Sequence, residues 1–485
     1  MQIDSNMTLK PDIQEVQFSS LSVIDSVGKV FVWRDRLFRA IYHDAVSKIR
    51  AVLDSGLFEE LTANGLFPKT WIADFSLPGF GMVLEHQRYS TVAYPYEWSF
   101  LMLKDAALLA LKVNIIARKY GYETKDCHGL NVIFDGVTPK FVDLGSFVKI
   151  RDGYMGWHAF EEFLQFYYYP LRLWAHGNGY VARRMLLGSK LMPHVSFLKY
   201  KNPFYRIFRS DWLERIVYYY YRFRSLSGFS PADIKAKFPG IVGRLLATLV
   251  SLRLLPLQDV NLDMWTRKIE HLQKKANKTL WSEYQDNYRN AREDLSTPRF
   301  ERLIHLFAEH QISSVVELAA NQGVFSRLLL QRTKVNRAVC IDSDEDAVDK
   351  LYVSAKSNTA VPAPVLLDFI FPLVAHYGTP AHTRFQSDAV VAMAITHHLI
   401  LGAGVPIERV FETIASYSRR YVFIEFMPLG LYDGKRSPPL PSWYHQDFFR
   451  ENFCAHFSLL LEEQLEENRV LFFGSKLENS VHHAA

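Results

Sequence analysis

The chain has 485 residues, of which 49% are hydrophobic, 14% aromatic and 22% charged, with a formal net charge of +5 at pH 7. This length is sufficient for about three domains, and the composition excludes a disordered chain. Three widely separated cysteines, Cys127, Cys340 and Cys454, exclude a disulfide framework and a thiolate zinc site, and without a signal-peptide or membrane-span pattern we predict a cytoplasmic protein with no metal.

Residue patterns divide the chain into parts 1–150, 151–277 and 278–485, and the first part predicts an α+β fold. We expect a strand hairpin over 30–39, a helix over 43–53, strands near 71 and over 82–85, and a long helix over 97–119. Four apolar residues of the long helix recur at helical spacing and share one face: Leu101, Leu108, Leu111 and Ile115.

Three polar residues near the end of the first part stand at a regular spacing. Asp126 and Asn131 are five residues apart, and Asp143 opens an Asp-Leu-Gly run after a predicted strand. This pattern resembles the catalytic and metal loops of protein-kinase-like folds. Arg39 stands where that family has a lysine, and His128 follows the aspartate instead of preceding it, so the resemblance implies a degenerate kinase-like module. The alternative is that the three are turn residues between short strands.

The middle part loses its strand patterns and combines aromatic rings with positive charge. Residues 151–260 contain 16 lysines and arginines against 7 acidic residues, which is a net charge of +9. Because the whole chain carries only +5, the rest of the chain carries a net charge of about −4. This composition predicts a helical surface for an anionic carrier or for peripheral contact with the inner membrane, with no specific nucleic acid as partner. The anion site would include Arg183, Arg184, Lys199 and Lys201. The alternative is a helical core whose rings face inward while the cations are solvated.

The last part alternates short β-branched runs with amphipathic helices, which is typical of a parallel α/β sheet. Strands are predicted over 313–318, 337–341 and 364–367, and an acidic residue stands at the end of each: Glu317, Asp342 and Asp368. Because the carboxyl ends of parallel strands share one edge, where open sheets bind ligands, we expect the three carboxylates near one ligand. The alternative is that each caps the following helix.

A turn of small residues over 319–323 joins the first of these strands to its helix. Gly323 lets the backbone approach a ligand, Glu317 would orient a charged amino-acid end, and Asp342 would accept both hydroxyls of a ribose. A dinucleotide fingerprint uses three glycines around a pyrophosphate, but here only Gly323 is present and the nearby carboxylate would repel phosphate. A cationic adenosine ligand without phosphate fits better, and S-adenosylmethionine is such a ligand.

Residues 281–476 resemble the class I S-adenosylmethionine-dependent methyltransferases. The run Glu317-x-Ala319-x-Asn321-x-Gly323 is similar to the family's glycine-rich motif with two glycines replaced. Later runs at 421–426, 456–461 and 469–474 fit its fifth strand and closing antiparallel pair. The resemblance implies a Rossmann-like sheet whose cofactor site contains Glu317, Ala319, Asn321, Gly323, Asp342 and Asp368.

Two adjacent histidines follow the predicted fourth strand. The run 388–399 ends in Thr396-His397-His398-Leu399 and resembles the active-site loop of several such enzymes. An imidazole that titrates near neutral pH, His397 or His398, would take a proton from a hydroxyl as the methyl group arrives. The alternative is a loop pair with no catalytic role.

The two halves together resemble a group of bacterial two-part proteins that includes nodulation-associated methyltransferase-like proteins. That resemblance implies a methyltransferase joined to a degenerate kinase-like module, with a saccharide or related metabolite as the acceptor. We therefore predict methyl transfer from S-adenosylmethionine to a hydroxyl of such an acceptor. Two alternatives stay open: a non-catalytic scaffold or regulatory protein, and a bifunctional kinase and methyltransferase.

Overall fold

The computed structural model describes most of the chain. The described residues are 11, 13–19, 25–150, 156–188, 191–201, isolated positions between 232 and 248, 260–275, 297–375, 378–432 and 436–477. The ring and cation runs at 205–206 and 218–224, the side chains of Lys199 and Lys201, and the predicted boundary at 277 lie outside these residues.

The first half contains a five-stranded antiparallel sheet. Its strands are β1 (Gln17–Phe18), β2 (Gly28–Trp33), β3 (Arg36–Ile41), β4 (Thr70–Ile72) and β5 (Met82–His86), in the order β1-β2-β3-β5-β4. The predicted hairpin is β2 and β3, joined through Arg34 and Asp35, which both adopt positive φ angles. Two short antiparallel pairs follow: β6 (Tyr122–Thr124) with β9 (Phe147–Lys149), and β7 (Val132–Asp135) with β8 (Thr138–Phe141).

Among its described residues this half has three α-helices: α1 (Val46–Leu53), α2 (Leu57–Ala63) and α3 (Phe100–Lys119). The expected start of the long helix at residue 97 is wrong, because Pro95–Glu97 form a separate 3₁₀ turn and Ser99 caps α3 by accepting a hydrogen bond from the Met102 amide. Helix α3 is buried around most of its circumference, and three of the four predicted face residues, Leu101, Leu108 and Ile115, are only partly buried. A helix buried around most of its circumference does not reveal its contacts through a single apolar stripe.

The elements of regular secondary structure described between 156 and 275 are all helices, joined by turns and loops. They include α4 (Phe160–Phe163), a π-helical turn (Leu164–Tyr168), α5 (Tyr169–Ala175), α6 (Gly179–Met185), α7 (His194–Lys201) and α8 (Leu262–Glu270). Tyr167, Tyr168 and Tyr169 are all buried. For these three rings the structure agrees with the alternative of an inward-facing aromatic core.

The second half contains a seven-stranded sheet. Its strands are β10 (Ser314–Leu318), β11 (Arg337–Asp342), β12 (Ala363–Leu366), β13 (Ser387–Ala392), β14 (Ser418–Phe426), β15 (Phe457–Glu466) and β16 (Arg469–Lys476). The order is β12-β11-β10-β13-β14-β16-β15, and β16 is antiparallel to both of its neighbours. The predicted parallel α/β sheet of this half, with its closing antiparallel pair, is therefore confirmed.

Helices cover both faces of this sheet, as parallel strands require. They are α9 (Pro298–Glu309), α10 (Val324–Arg332), α11 (Glu345–Lys356), α12 (Ala381–Arg384), α13 (Ile407–Tyr417) and α14 (Gln446–His456). Strands β11 and β12 are parallel neighbours with Asp342 opposite Leu366, so the loops that follow the two strands lie beside each other at the carboxyl edge. No helix among the described residues is long and apolar enough to cross a membrane.

The two halves share one hydrophobic core and several polar contacts. Helix α11 faces α3, and the Tyr352 hydroxyl donates to the Asp105 carboxylate at 2.7 Å. Arg384 forms a buried ion pair with Glu97, with Nη1 and Oε2 3.0 Å apart. Breaking a buried pair on one side leaves an uncompensated charge, so these contacts tie the halves to each other.

Candidate active site at the carboxyl edge of the second sheet

The turn after β10 has an alternating left-handed backbone. Ala319, Asn321 and Gly323 have φ angles of 54°, 50° and 64°, a conformation that costs a non-glycine L-residue about 1–2 kcal/mol. The two positions at which the sequence has lost a glycine thus keep the backbone that glycine favours. Strained turns of this kind concentrate at ligand sites, and the replaced side chains have left the shape of the loop intact.

Asp342 joins this turn to the end of β11. One carboxylate oxygen accepts from the Asn321 amide at 2.7 Å, and the other accepts from the Asp344 amide at 2.8 Å. Burial raises the pKa of Asp342 to about 6, although these backbone amides oppose the shift. Each carboxylate oxygen has a further lone pair, so Asp342 can still accept hydrogen bonds from a ligand.

Glu317 lies beneath the turn and is buried. Its Oε2 accepts from the Ser326 amide at 3.1 Å and from the Ser326 hydroxyl at 2.6 Å. Burial raises the pKa of Glu317 to about 7, against the lowering effect of Ser326. The carboxyl therefore supports the first turn of α10, and its predicted role toward a ligand's amino-acid end stays a prediction.

Asp368 is exposed at the adjacent loop. Its Oδ1 accepts from the amides of Ile370 and Phe371 at 3.0 and 2.9 Å. This turn-capping contact is the structural role that the sequence left open as the alternative. The predicted contact of Asp368 with an adenine stays a prediction.

His397 and His398 stand after β13 with their ring centroids 4.0 Å apart. The Thr396 hydroxyl donates to the Glu425 carbonyl at 2.9 Å and so ties this loop to the end of β14. His397 is buried, and its Nδ1 has no hydrogen-bond partner among the described residues. Burial, with His398 and Arg469 as further causes, lowers the pKa of His397 to about 3. The expectation of an imidazole that titrates near neutral pH is therefore wrong for His397.

Sequence reasoning missed a charged cluster beside these histidines. Glu425, fully buried at the end of β14, accepts from Arg469 at 2.8 Å and from Arg299 at 3.3 Å. Arg469 also pairs with Glu466 at 2.9 Å. Glu425 repeats the pattern of an acidic residue at a strand end, which is the signal that would have found it. Its two arginine partners come from elsewhere in the chain and had no such signal.

The three kinase-like residues of the first half also come together. The Asn131 amide donates to Asp126 at 3.0 Å, and the Ser146 hydroxyl contacts both Asp126 and Asp143. Arg39 donates to Asp143 at 3.2 Å. Burial alone would raise the pKa of Asp143, but Arg39 and Ser146 lower it overall. The carboxylate that would hold a metal in a kinase is thus already paired with a cation.

The predicted anion site of the middle part is divided by the fold. Arg184 is exposed and lies over the Tyr180 ring, whereas Arg183 turns the other way and donates to the Leu366 carbonyl at 3.2 Å. Arg183 therefore belongs to the contact between the halves. Binding of an anionic carrier or membrane by this part stays a prediction.

Comparison with known sequences gives one relative over most of the chain, and no protein-family model matches. The chain is similar to nodulation protein NoeA of Rhizobium meliloti (strain 1021), with 25% identity over 434 residues that cover 83% of this chain and 83% of that protein. This likeness agrees with the resemblance to nodulation-associated proteins that the sequence predicted.

Solved structures similar to this chain cover about two fifths of it. The N-methyltransferase NodS from Bradyrhizobium japonicum WM9 is 12% identical, with a TM-score of 0.28, and the match covers 37% of this chain and 97% of that one. A S-adenosylmethionine-dependent methyltransferase from Clostridium acetobutylicum ATCC 824 is 8% identical, with a TM-score of 0.32, covering 41% and 99%. One from Aquifex aeolicus is 12% identical, with a TM-score of 0.30, covering 41% and 100%.

Proposed function

We propose that the chain is a S-adenosylmethionine-dependent methyltransferase that acts on a hydroxyl of a saccharide or related metabolite. The observation that carries this proposal is the turn at 319–323, whose left-handed residues stand at the first strand of a class I sheet and whose Asn321 amide binds Asp342. Such a turn brings backbone close to a ligand at the sheet edge, beside the point where the strand order reverses.

The residues at this edge fit the cofactor. Asp342 keeps lone pairs for two ribose hydroxyls, and the site contains no arginine or lysine within its glycine-type turn to attract a phosphate. S-adenosylmethionine, when bound, supplies a methyl group on a sulfonium centre. The chain's own contribution is to align an acceptor oxygen with that methyl group, because positioning provides a large part of such a rate increase.

His397 is the residue that we propose for the acceptor's proton. Its pKa of about 3 keeps the imidazole neutral at physiological pH, and its buried Nδ1 has no partner among the described residues. An alcohol oxygen that has gained a methyl group carries a positive charge and becomes strongly acidic, so even a weak base can accept its proton. His398, whose pKa burial also lowers, packs against His397 with the two rings tilted at 43°.

Calorimetric titration with S-adenosylmethionine tests the proposal on the full chain. We expect the native protein to bind and Asp342→Asn to bind about ten- to a hundredfold more weakly, because the variant replaces one ionised acceptor oxygen with a donor. Asp388→Asn is the matched control, since Asp388 accepts from Ser313 and Ser314 at the opposite end of the sheet. Absence of binding by the native protein would overturn the proposed function.

For the first half we infer a kinase-like module without phosphotransfer. The specific observation is Arg39, which pairs with both Asp143 and Asp25 at 3.2 and 3.3 Å. A divalent metal would have to displace this guanidinium before it could use Asp143. Titration with ATP and Mg²⁺ should give no binding heat; binding that disappears in Asp143→Asn would instead support the bifunctional alternative.

A further inference from the structure

Two helices of the middle part lie against the loop that follows Asp342. The Trp174 indole, at the end of α5, donates to the Glu345 carboxylate at 2.6 Å. Gly179, the first residue of α6, has no side chain between these groups, and a Cβ there would lie 2.9 Å from the same carboxylate oxygen. Glycine is therefore required for α6 to approach the first turn of α11 this closely.

Arg183 follows Gly179 by one helical turn and reaches the neighbouring loop. Its Nη2 donates to the carbonyl of Leu366, the last residue of β12. Asp368 and Glu345 lie close enough to act on its charge, and burial opposes them by lowering the pKa of Arg183. The Arg183 Nε is buried and has no hydrogen-bond partner among the described residues. A buried donor without a partner is costly unless a ligand or water satisfies it.

The position of this donor relative to Asp342 indicates which part of a nucleoside it would meet. Asp342 and Leu366 are register partners on adjacent strands, and the Leu367 amide donates to the Asp342 carbonyl at 2.8 Å. A base attached to a ribose held by Asp342 therefore lies next to residues 366–368. Purine ring nitrogens accept hydrogen bonds, and guanidinium N–H groups donate them.

We propose that Arg183 is a binding residue of the cofactor site, supplied by the middle part of the chain, and that it fixes the adenine end between Glu345 and the Leu366–Asp368 loop. This inference rests on the proposed function. The site is then formed by the second half and the middle part together: the turn and Asp342 hold the ribose from one side, and helix α6 closes the base end from the other.

The test is calorimetric titration of the full chain with S-adenosylmethionine and with 5′-methylthioadenosine, which keeps the adenosine and lacks the amino-acid end. Arg183→Met removes the donors with little change in length, and Arg184→Met is the control on the exposed face of the same helix. We expect Arg183→Met to weaken both ligands by a similar factor of about ten or more, while Arg184→Met binds like the native protein.

The possible outcomes separate the two proposals. If the native protein binds S-adenosylmethionine and Arg183→Met binds both ligands equally well, the inference about Arg183 is overturned and the proposed function stands. A loss for S-adenosylmethionine without a loss for 5′-methylthioadenosine also overturns it, because Arg183 would then act away from the base. If Arg183→Met fails to fold, Arg183→Lys and Arg183→Gln, which keep a polar end, are measured with the same two ligands. A native protein that binds neither ligand overturns the proposed function itself.

Discussion

The turn at 319–323 and the aspartate cluster of the first half show opposite kinds of change from the families they resemble. In the turn, two expected glycines are replaced by Ala319 and Asn321, yet the left-handed backbone is kept. In the cluster, Asp126, Asn131 and Asp143 are all present at the expected spacing, but Arg39 occupies the carboxylate that would bind a metal.

The difference shows that a residue match and a working site are separate properties. A site formed by backbone amides and chain direction survives replacement of side chains, provided that the φ angles are kept. A site formed by side-chain carboxylates is changed by one neighbouring cation, because the interaction between unit charges at about 3 Å is strong in a partly buried location. We therefore expect activity in the second half and a structural role in the first.

The largest expected effect is at Arg39. Arg39→Met should lower the free energy of unfolding by about 3–5 kcal/mol at pH 7, since it leaves Asp143 and Asp25 without their cation. Because Arg39 lowers the pKa of Asp143, the stabilisation is present above the ordinary carboxyl pKa and is lost as the pH falls through the folded value. Urea unfolding at pH 7 and pH 2 measures this, with exposed Arg50→Met as control; an equal loss at both pH values would contradict an ionic role.

The second prediction concerns Gly323. Gly323→Ala should lower the free energy of unfolding by about 2–4 kcal/mol, from the strained φ angle and from overpacking. A Cβ there would lie 2.8 Å from Leu351 Cδ1 and 3.1 Å from Cys340 Sγ. Gly404→Ala is the matched control, because Gly404 has a similar φ of +67° and a Cβ added there would meet no atom within 4 Å. This variant should therefore lose only the part of the free energy of unfolding that comes from the strained φ angle. Equal losses in urea unfolding would remove the packing argument.

The third prediction uses the buried carboxyl beneath the turn. The pKa of Glu317 is raised to about 7 by burial, so its contribution to stability is present below the ordinary carboxyl pKa and is lost as the pH rises from about 4 to 7. Glu317→Gln cannot ionise and should become more stable than the native protein at pH 8, by up to about 3 kcal/mol. Thermal unfolding at pH 5 and pH 8 measures the difference, and a pH-independent difference between the two proteins would disagree with burial of a charge.

The smallest expected effect tests the strain in the turn directly. Ala319→Gly should raise the free energy of unfolding by about 0.5–1 kcal/mol, because relief of the positive φ exceeds the entropy lost by glycine. Cofactor affinity should stay the same, since the backbone already has the required shape. Urea unfolding measures the change. A lower free energy of unfolding for the variant would contradict the prediction, because it would mean that the Ala319 side chain stabilises the turn more than its positive φ angle strains it.

Much of the second half was predictable from local sequence. The strands predicted over 313–318, 337–341 and 364–367 differ from β10, β11 and β12 by no more than one residue at either end. The acidic residues at the ends of β10 and β11 are where the pattern placed them. These features follow from residues near each other in the chain, because hydrophobic periodicity and turn residues act over a few positions.

The sequence by itself determined the class of the second sheet, the edge at which its carboxylates stand and the helical character of the middle part. Only the tertiary structure decided where the arginines lie. Arg39 lies beside Asp143, Arg299 and Arg469 contact Glu425, and Arg183 donates to the Leu366 carbonyl. The physical reason is that such pairs join residues from distant segments. Their distances depend on how whole elements pack, and local periodicity contains no information about that packing.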